Sequence, residues 1–188
     1  MAFTFRGGAH IKEYKNTRAC AIEMMPAPAT VSIPLSQHIG AHCEPLVKVG
    51  DTVTYGQVIG AVSSGLGCPV HASVSGKVIA IDSVNNAQGV PIRNVVIEND
   101  GEYTLCPDIA PFPKPLADTT ADEIVELIRA AGISGMGGAT FPTHVKLSSA
   151  MGKVDTVIVN VSECEPYIVA DDRLCQEFPK EMISGLKI

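Results

Sequence analysis

The stretch Gly132-Ile-Ser-Gly-Met-Gly-Gly-Ala-Thr-Phe-Pro-Thr-His-Val-Lys146, followed at 160–166 by Asn-Val-Ser-Glu-Cys-Glu-Pro, concentrates residue types that packing alone would not select. Glycines at 132, 135, 137 and 138 permit positive φ and leave backbone N–H groups uncovered, which is what a loop needs to hold an anion. Pro142 and Thr143 read as a helix start that aims the positive end of a helix dipole into the same space. Lys146, near the first turn, adds a full charge. Together they point to a phosphorylated cofactor. The bland reading of the same string is a glycine-rich turn between two helices that binds nothing, and the string alone leaves both open.

The elements that must position these residues are legible around them. Thr120-Ala-Asp-Glu123 is a capping box, after which Ile124, Leu127, Ile128 and Ala131 share one helical face and Gly132 supplies the stop. A second helix is predicted from about Thr143 to Ala150, ended by Met151-Gly152. The run Thr-Val-Ile-Val-Asn-Val at 156–161 has the length and β-branching of a buried parallel strand, with Asn160 and Glu163 emerging at its carboxyl end. Pro179 opens a last helix. One such unit cannot wrap a parallel sheet on both faces, so the chain is expected to be the N-terminal part of a longer protein.

Upstream, from Ala29 to about Asn99, short β-branched runs such as Val31-Ser-Ile33, Val58-Ile-Gly-Ala-Val62 and Val95-Val-Ile97 alternate with turn signals at Gly50-Asp51, Gly65-Leu-Gly67, Ser75-Gly76 and Asn85-Asn86. This predicts a compact β barrel or sandwich. Val47-Lys-Val-Gly-Asp-Thr-Val53, Gly56-Gln-Val-Ile-Gly60 and Val70-His-Ala-Ser-Val-Ser-Gly-Lys-Val78 resemble the two halves of a biotinyl/lipoyl-type domain. Such domains carry their cofactor on a lysine at a hairpin tip. The equivalent tip here is 63–67, and no lysine occurs between Lys48 and Lys77, so acyl carriage is contradicted. Residues 1–28, with Phe3, Phe5, Gly7-Gly8 and His10, read as an irregular arm, and 101–118, with Pro107, Pro111, Pro113 and Pro115, as a stiff connector.

Composition narrows the classes. A net charge of −6 with 14 Lys+Arg offers no basic stripe for nucleic acid. No run approaches the roughly 18 apolar residues of a membrane span. Residues 1–20 carry Arg6, Lys12, Lys15 and Arg18 without an apolar leader run, so a cytoplasmic protein is expected. The six cysteines form no C-x-x-C pair, which argues against an iron–sulfur or other metal site in this stretch. The acidic cluster Glu163, Glu165, Asp171 and Asp172 lacks metal-ligand spacing.

The string 135–146 resembles the flavin-binding loop of the NADH-oxidising subunit of respiratory complex I, and 160–173 the acidic segment that follows it there. With the Gly7-Gly8-Ala-His10 arm and the lipoyl-like region ahead of them, the whole chain resembles the N-terminal part of the RnfC family, whose members belong to Rnf electron-transport complexes. The resemblance implies an α+β, multidomain chain: an arm at 1–28, a lipoyl-like β barrel-sandwich at 29–100, a connector at 101–118, and at 119–188 the truncated start of an α/β flavin-binding domain. It implies that Gly135, Gly137, Gly138 and Lys146 hold the phosphate end of FMN, and that Asn160 and Glu163 lie near the flavin ring. Phe141 would stack on NADH and Glu165 would hydrogen-bond it. No residue is assigned a catalytic role. Met136, where complex I carries arginine, and Ser162 and Cys164, where it carries aspartate and glycine, depart from that pattern.

The implied activity is that of an NADH-dependent flavin/iron–sulfur oxidoreductase subunit, docked on partner subunits at the cytoplasmic face of the cell membrane. The 4Fe-4S clusters of the family have no motif here, so this length of chain is expected to be inactive alone. Two alternatives stay open: a non-catalytic docking scaffold, and a soluble flavin/iron–sulfur reductase of the cobalamin- or proline-reductase type.

Overall fold

The computed structural model describes residues 11–86, 89–111, 114–136 and 140–188. The chain divides into two compact units, one of residues Pro26–Val154 and the other of the segment up to Met25 together with Asp155–Ile188. Phe3, Phe5, Gly7, Gly8 and His10 of the predicted arm lie outside the described residues.

In the larger unit the β-branched runs become β1 (Thr30–Pro34), β2 (Glu44–Pro45), β3 (Thr52–Val53), β4 (Val58–Ala61), β5 (Val70–His71), β6 (Gly76–Asn85) and β7 (Pro91–Asn99). They form a four-stranded sheet in the order β1-β7-β6-β3 and a three-stranded sheet in the order β2-β4-β5, every pair antiparallel. Small branched side chains fill the space between so few short strands. Ile33, Leu35, Cys43, Val53, Ile59, Val70, Val78, Val95 and Ile97 are buried in one cluster. The long β6–β7 hairpin turns at Asn86, whose side-chain oxygen accepts the Val90 N–H at 2.9 Å, as the Asn85-Asn86 signal predicts. The 63–67 tip folds back on the barrel, where the Ala41 N–H donates to the Leu66 carbonyl at 2.9 Å.

The connector is not free along its length. Tyr55 N–H donates to Thr104 O and Cys106 N–H to Tyr55 O, both at 2.8 Å, so the segment around Leu105 is bridged to the barrel and Cys106 is buried. A 3-10 turn at Leu116–Asp118 then leads into α1 (Ala121–Ala130) and α2 (Thr143–Ala150), at the predicted places.

The smaller unit contains α3 (Ala170–Glu177) and α4 (Pro179–Lys187), the latter with proline in its first turn as expected. The sequence does not predict α3. The run 156–161 corrects an expectation: it pairs with no strand among the described residues, and Val157 and Ile158 are 65% and 83% exposed instead of buried. The cause is the lack of a neighbour, since a ladder needs a second strand and the described part of this unit offers helices and the arm. The fold is therefore α+β, a barrel-sandwich followed by helices. Among the described residues no helix is long and apolar enough to cross a membrane.

Candidate cofactor site

In the larger unit the glycine-rich loop is held at both ends. α1 starts with its predicted capping box: the Thr120 hydroxyl accepts the Glu123 N–H at 3.3 Å and the Glu123 carboxylate accepts the Thr120 N–H at 2.8 Å. The Lys114 ammonium at 2.7 Å, with Thr120, holds the Glu123 carboxyl down to about 2. At the other end Gly132 N–H donates to Arg129 O at 3.0 Å and Ile133 N–H to Ile128 O at 3.2 Å, a Schellman closure with Gly132 at φ +69°.

That closure rests on the barrel. The Cys68 thiol lies 3.6 Å from the Gly132 carbonyl oxygen, and a Cβ on Gly132 would meet the Pro69 carbonyl at 2.4 Å and the His71 ring at 3.1 Å. Burial pushes the His71 imidazole below its ordinary value, partly offset by the Ala130 carbonyl. Burial also raises the Cys43 and Cys68 thiols, which suits apolar packing and disfavours a nucleophilic thiolate.

The loop itself is closed at its neck. Ser134 bridges Pro142, Gly135 N–H donates to Phe141 O at 2.9 Å, and Thr143 N–H donates to Ile133 O at 3.0 Å. The Gly135 amide is thus engaged within the neck. Gly137 and Gly138 lie outside the described residues. Lys146 extends from α2 back over the neck, its Nζ 3.8 Å from where a Gly135 Cβ would stand, with the side chain exposed. Phe141 is half-buried beside fully buried Pro142. Thr140, with a branched side chain, sits at φ +48°, an unfavourable conformation held by the closure of the loop. On α2, His144 is pushed below its ordinary value first by burial and then by the Arg129 guanidinium, and its Nδ1 is buried with no hydrogen-bond partner among the described residues.

The smaller unit holds Asn160, Glu163 and Glu165. The Asn160 side-chain oxygen accepts the Ser162 N–H at 2.9 Å, an Asx turn. Both oxygens of Glu163 are engaged. One accepts the Asp171 N–H at 2.8 Å, supplying the cap that Val169 cannot give α3, and the other faces the Lys15 ammonium at 3.4 Å. Lys15 also donates to the carbonyls of Glu165 at 2.9 Å and Ile168 at 2.5 Å. Beside it Tyr14 stacks on Tyr167, ring centroids 5.1 Å apart, and its N–H donates to Pro166 O at 3.0 Å. Glu165 is exposed, and no described residue bonds its carboxylate. Sequence reasoning overlooked Tyr14 and Lys15, because contacts across some 150 residues leave no local pattern. The acidic start of α3, Asp171 and Asp172, was a usable helix signal. Among the described residues no group of His, Cys, Asp or Glu is arranged to hold a metal ion.

Both parts of the chain match known protein families. Residues 3–102 match the model of the RnfC barrel sandwich hybrid domain, and residues 128–188 that of the Nuo51 FMN-binding domain. The chain is 46% identical to the RnfC protein of the Na(+)-translocating ferredoxin:NAD(+) oxidoreductase complex of Acetobacterium woodii, over 98% of this chain and 42% of that protein. It is 43% identical to the RnfC protein of the ion-translocating oxidoreductase complex of Rhodobacter capsulatus, over 100% and 37%. To the RnfC protein of the proton-translocating ferredoxin:NAD(+) oxidoreductase complex of Clostridium ljungdahlii it is 40% identical, over 100% and 41%. The chain spans about two fifths of the length of the curated relatives it matches.

Proposed function

Because this chain belongs to the RnfC family, we propose that it is the electron-input part of a membrane-associated, ion-translocating NADH:ferredoxin-type oxidoreductase, binding FMN and NADH. The observation that carries the reading is the Lys146 ammonium, 3.8 Å from where a Gly135 Cβ would stand, an exposed cation beside the closed neck of a glycine-rich loop. These residues fit an anionic phosphate: a lysine point charge at a helix start, following a sequence with glycine at 135, 137 and 138. In this reading Lys146 and the amides of the loop around Gly135, Gly137 and Gly138 hold the FMN phosphate, with the Gly135 N–H itself closing the neck on Phe141 O. Asn160 and Glu163 serve its ring, Phe141 offers a flat face to the nicotinamide nucleotide, and Glu165 a hydrogen-bond acceptor. Bound FMN supplies the step from hydride to single electrons, which leave through iron–sulfur clusters outside this chain. The protein's share is to bind and orient. Partner subunits of the complex hold the chain peripherally at the cytoplasmic side of the membrane.

Flavin titration of the protein extended to the length of its relatives tests this. Gly137→Val removes the room for close backbone approach and is expected to abolish binding, while Lys146→Ala weakens it about tenfold without unfolding. Flavin retention unchanged by both substitutions would remove the loop as the site.

A further inference from the structure

We propose that Lys15 is a positioning residue for the acidic segment 160–168, a role that rests on the reading of Glu165 as a nucleotide contact. An ammonium group has three donors and no acceptor, and all three are matched here: to the Glu163 carboxylate, the Glu165 carbonyl and the Ile168 carbonyl. The side chains of Lys15 and Glu163 are only 14% and 10% exposed, so this is a partly desolvated clamp and not a loose surface pair.

Its placement determines what it does. The three acceptors lie before, at the start of and after the bend at 165–167, and Tyr14, the neighbouring arm residue, closes that bend by stacking on Tyr167 and donating to Pro166 O. The other Glu163 oxygen ties the clamp to the first turn of α3 through the Asp171 N–H. With the Glu165 carbonyl turned to Lys15 and no described residue on its carboxylate, the backbone of Glu165 is fixed while its side chain is left for a ligand. Lys15 also balances the charge of Glu163, so the carboxylate presented to an anionic dinucleotide is that of Glu165. The arm therefore acts on NADH through the acidic segment without touching it.

Two measurements test this. In the 188-residue chain, Lys15→Met is expected to speed hydrogen exchange of the Asp171 amide, bonded to Glu163, and of the Tyr14 amide, bonded to Pro166 O, by about tenfold. In the flavin-loaded protein extended to the length of its relatives, the same substitution is expected to raise KM for NADH about tenfold, with kcat within about twofold and flavin content unchanged. Since a carboxylate left without its cation can unfold this unit, the double variant Lys15→Met with Glu163→Gln removes both charges; because Glu163 is also placed at the flavin ring, its KM is compared at matched flavin content and is expected to equal that of the single variant. Unchanged exchange, or unchanged KM in both variants, overturns the proposal. Glu165→Ala separates the two levels: if it raises KM while the Lys15 variants do not, only the positioning role fails. If it too leaves KM unchanged, the reading of the segment fails with it.

Discussion

Gly132 meets the Pro69 carbonyl so closely that a Cβ would stand 2.4 Å from its oxygen, at a backbone φ of +69°. Gly152 has nearly the same φ, +71°, with nothing within 4 Å of its Cβ position. The pair separates backbone strain from close approach. Gly152→Ala is expected to cost about 1 kcal/mol, the penalty of a left-handed alanine. Gly132→Ala adds an overlap that must move either α1 or the barrel, for about 2–4 kcal/mol in total. Urea unfolding of the two variants gives the comparison. Equal losses would mean that the base of the glycine-rich loop does not rest firmly on the Pro69–His71 edge.

Two imidazoles set a pH dependence. His71 and His144 are both held below the ordinary value of 6.5, in each case first by burial. The unfolded chain therefore binds more protons than the folded one as pH falls through 6.5. Stability is at its full value above that pH and declines below it. Urea midpoints at about pH 7.5 and 5.5 should differ in that sense, and His71→Gln should flatten the difference. Glu123, held down to about 2, works in a lower window: its contribution is present above 4.5 and is lost as pH falls from there. Helical signal from α1 is expected to fray in that range.

What could be read from the sequence is what repeats locally. The barrel announced itself by β-branched runs between Gly and Asn turns, α1 by the Thr120–Glu123 box and Gly132, and α4 by Pro179. The failures have physical causes. The run 156–161 has the side chains of a strand, but strand formation depends on a neighbour that its own residues do not encode. α3, Ala-Asp-Asp-Arg-Leu-Cys-Gln-Glu, has too few apolar residues to trace a helical stripe, and its cap comes from Glu163, outside the usual capping position. That Lys146 and Gly135 lie near the neck of the loop was legible because a helix start and a glycine are local signals; their role in binding is a proposal. The clamp of Lys15 on Glu163 is tertiary, and only the folded chain reveals it.

The 63–67 tip gives a chemical prediction. Modification of a lipoyl-type domain needs a lysine amine at the hairpin tip, and between Lys48 and Lys77 there is none. Intact-mass measurement of the protein from its native host is expected to show the unmodified mass. A lipoyl or biotinyl increment mapped by peptide sequencing to residues 49–76 would contradict this.

The last prediction concerns the 188-residue chain by itself. Its described contribution to a phosphate site is one exposed lysine and the start of an eight-residue helix, with the Gly135 amide engaged at the neck. An exposed charge or helix terminus contributes only about 1 kcal/mol against an anion, and most of the affinity for a flavin must come from burying its ring. Val157, Ile158 and Val159 are 65%, 83% and 47% exposed among the described residues. FMN is therefore expected to bind the isolated chain with a Kd weaker than about 10 μM, with Lys146→Ala changing it by less than about tenfold. Flavin fluorescence titration measures both. A submicromolar Kd would require a buried ring pocket already formed within these residues, and would overturn the argument from exposure.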